Sequence, residues 1–293
     1  MDLSKWKFAV FGGDARQSYL CRALREKGAS VASFGVPGEK DGADWQSLAT
    51  DADCILLPLP LTRDGVHLSW EEQSKVDPIR LDLFARACKT IVFGGKIPKR
   101  FRKDAEENGA RVFDYFDSEY LQILNALPTA EGALFVAMRE LTVTLDGAHV
   151  AVIGYGRIGR ILTEKLVALG AHVTVYERKE EKHAEIELAH AAPRFFFDEC
   201  GKNLLLSIAS DCRVIFNTVP EQIFTQEVLE SLPKECLFVD LASPPGGIDQ
   251  VAAMEFGVKH VWATALPGKY APESAASYLA KTLFATLAKL SFS

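Results

Sequence analysis

The run Gly154-Tyr155-Gly156-Arg157-Ile158-Gly159 follows the apolar stretch Val150 to Ile153 and opens a helical pattern from Arg157 to Leu169. Between a strand and a helix, three glycines at these spacings do separate work. The first permits a tight turn, the second lets the backbone approach a pyrophosphate, and the third lets the helix pack on the strand. The helix N-terminus adds N–H groups and positive potential. At the end of the next strand, Glu177 stands where a carboxylate takes the adenosine ribose hydroxyls, which favours NAD. Arg178 and Lys179 follow at once. A guanidinium there suits the 2′-phosphate of NADP, so the residues are compatible with either dinucleotide.

Two later strand ends border the nicotinamide half of such a site: Asn217-Thr218-Val219-Pro220 and Asp240-Leu241-Ala242-Ser243. Ligands of open parallel sheets sit beyond the carboxyl ends of the strands. Asn217 and Thr218 offer hydrogen bonds to ribose or carboxamide, or else act as a helix cap or turn. Val219, Pro220, Leu241 and Ala242 complete this edge. Three cations stand at other turns: Arg16 in Gly12-Gly13-Asp14-Ala15-Arg16-Gln17, Lys96 after Gly94-Gly95, and Lys269 in Leu266-Pro267-Gly268-Lys269-Tyr270. The first turn suits a carboxylate. If two domains face each other across a cleft, the three cations converge on a substrate with more than one carboxylate; singly, each is equally an exposed surface charge.

The elements that must hold these residues read as two α/β domains in series. Strand and helix signals alternate from Trp6 to Tyr115 and again from Val150 to Trp262, which implies two doubly wound parallel sheets, the second a Rossmann dinucleotide-binding domain. The boundaries are 1–143 for a flavodoxin-like substrate domain with an interdomain helix, 144–270 for the Rossmann domain, and 271–293 for a last helix that crosses back to the first. Pro128 is expected to stop one helix and start another. The long connection from Pro58 to Pro78 is a candidate lid.

Composition narrows the function. The 293 residues carry a net charge of -6, against a nucleic acid or acidic membrane as partner. The six cysteines form no CxxC pair and the histidines do not cluster, so no metal site is expected. The N-terminal apolar run Phe8 to Phe11 is too short for a signal segment or a span, and a reducing cytoplasm is expected. By fold analogy the arrangement suits a D-2-hydroxyacid or formate dehydrogenase, or a relative of alanine dehydrogenase. The hydroxyacid branch needs an imidazole after the sixth strand, where this chain has Lys269; a lysine there favours holding an anion over shuttling a proton.

The segments Gly12-Gly13-Asp14-Ala15-Arg16-Gln17, Asn125-Ala126-Leu127-Pro128-Thr129-Ala130-Glu131-Gly132-Ala133, Phe216 to Pro220, Asp240 to Gly247 and Leu266 to Pro272, in this order, closely resemble the family of dipicolinate synthase A subunits. The resemblance implies an NAD(P)-dependent oxidoreductase that makes pyridine-2,6-dicarboxylate from dihydrodipicolinate or 4-hydroxy-tetrahydrodipicolinate, in the mother-cell cytoplasm of a sporulating bacterium. It also implies a second, flavoprotein-like subunit, and a homo-oligomer is expected. On this reading Lys269 and Arg16 bind substrate, Lys96, Thr129 and Glu131 line the cleft, and Glu131 is the proton acceptor or simply a helix-start carboxylate. The alternatives are a nucleotide-binding regulatory subunit whose chemistry belongs to a partner, and an amino-acid or hydroxyacid dehydrogenase.

Overall fold

The computed structural model describes residues 2–42, 44–71, 76–208 and 210–290. Two compact units emerge, residues 1–125 with 267–293, and residues 126–266. The division falls inside a helix at 125/126 and not at the expected 143/144, and the chain leaves the second unit at Leu266.

In the first unit, strands β1 (Lys7–Phe11), β2 (Ser30–Phe34), β3 (Cys54–Leu56), β4 (Ile91–Gly94) and β5 (Arg111–Asp114) alternate with helices α1 (Ala15–Glu26), α2 (Trp45–Asp51), α3 (Leu81–Ala87) and α4 (Lys99–Glu107). All pairs are parallel, in the order β2-β1-β3-β4-β5. Side chains of a strand alternate between faces, and here both faces are apolar. Phe8, Val10, Cys54 and Leu56 join one core, while Ala9, Phe11 and Ile55 join the other. Each fully buried Leu, Ile or Phe adds about 1.5–3 kcal/mol. The last helix, α11 (Pro272–Leu290), puts Leu279, Leu283 and Leu287 into the same core as Leu20 and Leu24 of α1.

Helix α5 (Glu119–Glu140) contains the division. It runs through Pro128 without a break, contrary to the expected stop. The missing N–H forfeits one bond to the carbonyl of Leu124. Burial of Ala126, Ala130, Ala133 and Ala137 along one face outweighs that loss. In the second unit, β6 (His149–Ile153), α6 (Arg157–Ala168), β7 (His172–Tyr176), α7 (Glu180–Leu188), β8 (Ala192–Arg194), β9 (Cys212–Asn217), α8 (Gln226–Ser231), β10 (Leu237–Asp240), α9 (Gln250–Glu255) and β11 (Lys259–Trp262) lead to the short α10 (Leu266–Tyr270). The parallel order β11-β10-β9-β6-β7-β8 is that of a Rossmann sheet, winding outward both ways from β6. Along β6, Val150 and Val152 enter one core and Ala151 and Ile153 the other, so the sheet is covered on both sides. Lys269 lies in α10, where a Pro-Gly turn was expected.

Of the Pro58 to Pro78 connection, residues 72–75 lie outside the described residues. The described part is docked: Leu61 and Leu68 are buried in the core, and Ser69 N donates to Leu61 O at 2.7 Å.

Candidate functional site

The turn from β6 to α6 carries the glycine pattern. Gly154 has φ +89°, the left-handed region where glycine is free of strain, and a Cβ there would lie 2.7 Å from Thr218 Oγ1. Gly156 is the N-cap of α6, has no side-chain cap, and would extend a Cβ into open space. A Cβ on Gly159 would overlap the Gly154 carbonyl oxygen. Turn, open approach and close packing therefore fall on three different glycines, and the uncapped helix start fits a pyrophosphate. Tyr155 turns its ring into the core, Ile158 packs beside it, and Arg157 is exposed at the first helical position.

Glu177, at the end of β7, is buried and holds the turn from behind. Its Oε2 accepts from Tyr155 N at 2.8 Å, and its Oε1 accepts from Arg178 N at 2.9 Å and Lys179 N at 3.1 Å. The carboxylate thus organises the backbone around the site, a task its position in the sequence did not reveal. Arg178 is exposed, with Nη1 3.9 Å from Glu221 Oε1.

The ends of β9 and β10 place Asn217 and Thr218 in hydrogen bonds within the protein. Asn217 is fully buried, and its Nδ2 donates to Asp240 Oδ1 at 2.8 Å and to Val219 O at 3.0 Å, while its Oδ1 accepts from Val219 N at 3.2 Å. Both amide hydrogens are spent inside the protein. Thr218 Oγ1 donates to Ile153 O at 2.8 Å. These side chains fix the strand ends; Val219, Pro220 and Leu241 keep exposed surface on that edge, and Ala242 is buried. The buried residue sequence reasoning missed is Asp240. It accepts from Asn217, from Ala242 N at 3.0 Å and from Gly247 N at 2.8 Å. An acid closing an otherwise apolar strand, with two glycines six and seven residues on, was the available signal.

In the first unit, Asp14 caps α1 and grips Arg16 in a bidentate pair: Nε to Oδ1 at 2.8 Å and Nη2 to Oδ2 at 2.7 Å. Arg16 Nη2 also donates to Leu59 O. Burial pushes the Asp14 carboxyl up, but the Arg16 guanidinium outweighs it and holds the group below the ordinary value. Arg16 is buried and its charge is met by Asp14. A Cβ on Gly268 would sit 2.5 Å from Asp14 Oδ2 and 3.0 Å from Arg16 Nε, so α10 seats on this pair and presents Lys269 to solvent beside it. Lys96, two residues past the end of β4 at the same edge of the sheet, has φ 53°. Its N and that of Ile97 donate to the Asp114 carboxylate at 3.0 and 2.7 Å, and its Nζ lies 5.5 Å from the Phe116 ring centre.

Thr129 and Glu131 lie on α5 in the second unit. Glu131 Oε1 accepts from Lys165 Nζ at 3.0 Å, and its side chain is 53% exposed. Lys165 is eight residues along α6 from Arg157, roughly 12 Å from the glycine turn. Glu131 thus makes a solvated ion pair that joins α5 to α6. Among the described residues no group of three His, Cys, Asp or Glu side chains could hold a metal.

Comparison with known proteins agrees with this geometry. The family model for the N-terminal domain of the dipicolinate synthase A subunit matches residues 7–116. The dipicolinate synthase A subunit of Bacillus subtilis (strain 168) is 32% identical over 302 residues, covering 98% of each chain. The chain belongs to the family of dipicolinate synthase A subunits. Residues 129–245 match the NAD-binding domain of the D-isomer specific 2-hydroxyacid dehydrogenases, which makes the protein an oxidoreductase with a nicotinamide dinucleotide cofactor. The crystal structure of the dipicolinate synthase A subunit from Bacillus halodurans superposes with a TM-score of 0.85 at 28% identity, covering 98% of this chain and 99% of that one. That of its counterpart from Bacillus subtilis gives 0.83 at 30% identity, covering 99% and 98%.

Proposed function

We propose that this family member oxidises dihydrodipicolinate to pyridine-2,6-dicarboxylate, as the A subunit of a two-subunit dipicolinate synthase in the mother-cell cytoplasm of a sporulating bacterium, and that it self-associates. The observation that carries this reading is the 32% identity over 98% of both chains. The residues support it. After β11 the chain has Leu266-Pro267-Gly268-Lys269, with no imidazole where a hydroxyacid substrate would need one.

A nicotinamide dinucleotide, when bound, would supply the two-electron oxidant that takes up a hydride from a saturated ring carbon of the substrate. The substrate also loses a proton, and the ring becomes aromatic, which supplies most of the driving force; 4-hydroxy-tetrahydrodipicolinate would first lose water. The protein has mainly to bind and orient. The uncapped start of α6 and the open side of Gly156 suit the pyrophosphate. Lys269 and Lys96 supply cations for the carboxylates, and the Asp14–Arg16 pair sets the position of the turn beneath α10. Thr129 remains a candidate on α5. Glu177, held by backbone N–H groups of its own loop and of the glycine turn, would repel a 2′-phosphate, which supports NAD over NADP.

The engagement of Glu131 by Lys165 favours a second reading, in which the proton acceptor comes from the partner subunit. Purified chain mixed with dihydrodipicolinate and NAD, followed by the absorbance of reduced nicotinamide, tests both. Turnover by the chain alone supports a complete enzyme. Turnover only after addition of a second subunit supports the shared site, and none in either case defeats the proposal.

A further inference from the structure

The sheet order β2-β1-β3-β4-β5 reverses its winding between β1 and β3, and ligands of open α/β sheets bind beyond the strand ends at such a switch point. Here the crevice is bordered by Gly12-Gly13 after β1 and by Pro58 after β3. Gly13, with φ +86°, donates its N–H to Ser69 O at 2.8 Å, which brings the segment after Leu61 across the crevice. Gln17, in the first turn of α1, lies over Gly13: a Cβ there would be 2.5 Å from Gln17 Cγ and 3.6 Å from Pro58 Cβ. The Trp70 ring walls the β2 side, 2.8 Å from a Cβ placed on Gly12.

Gln17 and Ser69 each carry a buried polar atom without a partner, as does the ring nitrogen of Trp70. Gln17 is 3% and Ser69 5% exposed, and neither Gln17 Nε2 nor Ser69 Oγ has a hydrogen bond. An unmet buried polar group costs about 1–3 kcal/mol, and nearly all buried polar groups in folded proteins are paired. Two at one switch point indicate a ligand that accepts hydrogen bonds. The neighbourhood suits an anion: Asp14 is neutralised by Arg16, and Arg63 lies near enough to add positive potential.

Resting on the function proposed above, we infer that Gln17 and Ser69 hold one carboxylate of the substrate at the β1/β3 crevice and so determine substrate specificity. Gln17 donates through Nε2 and Ser69 through Oγ, one to each carboxylate oxygen. The Asp14–Arg16 pair holds the turn that aims Gln17.

Calorimetric titration of the full chain with pyridine-2,6-dicarboxylate, and separately with NAD, tests this on Gln17→Glu, Gln17→Leu and Ser69→Ala. Each variant should bind the dicarboxylate at least about tenfold more weakly, the scale of a lost hydrogen bond to a charged group, while NAD affinity stays at the wild-type value and Gln17→Leu and Ser69→Ala, which remove an unmet buried group, keep or raise the ligand-free melting temperature. Ser69→Ala, the mildest change, carries the test if the Gln17 variants unfold. Dicarboxylate affinities equal to wild type in folded variants would overturn the inference and leave two hydrated side chains. If the wild type ignores pyridine-2,6-dicarboxylate but binds malonate or pyruvate in a Gln17-dependent way, the carboxylate site stands and the proposed reaction falls. Failure of the wild type to bind any of these carboxylates sinks both.

Discussion

Asn217 Nδ2 donates to Asp240 Oδ1 across 2.8 Å, joining the carboxyl ends of β9 and β10 through side chains that are both buried. The pair stands where the nicotinamide half of the cofactor is expected, and it sets the shape of that edge. Replacing Asp240 by Ala leaves Asn217 Nδ2, Ala242 N and Gly247 N without their acceptor. We expect a loss of about 3–5 kcal/mol in urea unfolding, the range for breaking one side of a buried charged network. Unchanged stability would show that water replaces the carboxylate freely.

Gly156 and Gly159 should separate ligand space from packing space. Gly156→Ala adds a methyl to open space at φ -82°, so the melting temperature should hold while NAD affinity falls at least about tenfold, as expected for a blocked backbone approach. Gly159→Ala should destabilise the fold, because its methyl would meet the Gly154 carbonyl. Equal effects of both substitutions would count against a pyrophosphate over Gly156.

Asp14 predicts an acid limit. Its folded pKa lies below the ordinary 3.8, so its stabilising contribution is complete above that value and fades as pH drops through the folded pKa. Arg16→Met removes the guanidinium and leaves burial to raise the carboxyl. The share of the acid loss of melting temperature that Asp14 causes should then vanish or reverse, because a carboxyl raised by burial gains stability as pH falls, and overlapping curves would disprove the coupling.

Lys269→Met should raise the KM for the dicarboxylate substrate about tenfold or more, by loss of a charged contact, with cofactor affinity unchanged. Gly268→Val should instead unseat α10 from Asp14 and Arg16 and lower stability. Steady-state constants identical to wild type for Lys269→Met would remove that lysine from the site.

Glu177→Ser should weaken NAD binding, by loosening the Tyr155 and Arg178 backbone it holds, and should narrow the preference for NAD over NADP. Parallel titrations with both dinucleotides give the ratio. A preference that survives intact would place discrimination elsewhere on the loop.

The alternation of strand and helix, the double coverage of both sheets and the glycine turn were legible because they depend on local pattern. Apolar residues at successive positions of β1 and β6 demand cover on two faces, and Gly154, Gly156 and Gly159 do their work within one turn. Residue type at a strand end was a poorer guide, since Asn217 and Thr218 have chemistry suited to a cofactor and spend it on Asp240 and Ile153.

The sequence by itself determined two α/β folds, the place of the dinucleotide and a cation after the last strand, since each follows from periodicity or from residues a few positions apart. Only the tertiary structure decided that Arg16 is neutralised by Asp14 beneath Gly268, that Glu131 faces Lys165, that α5 continues through Pro128, and that Gln17 and Ser69 share a crevice. Apart from the Asp14–Arg16 contact itself, these depend on which groups meet in space across the folded chain, and for Gln17 and Ser69 on which buried groups find no partner. The cost of leaving such a group unpaired is set by its neighbours in space, which a one-dimensional pattern does not contain.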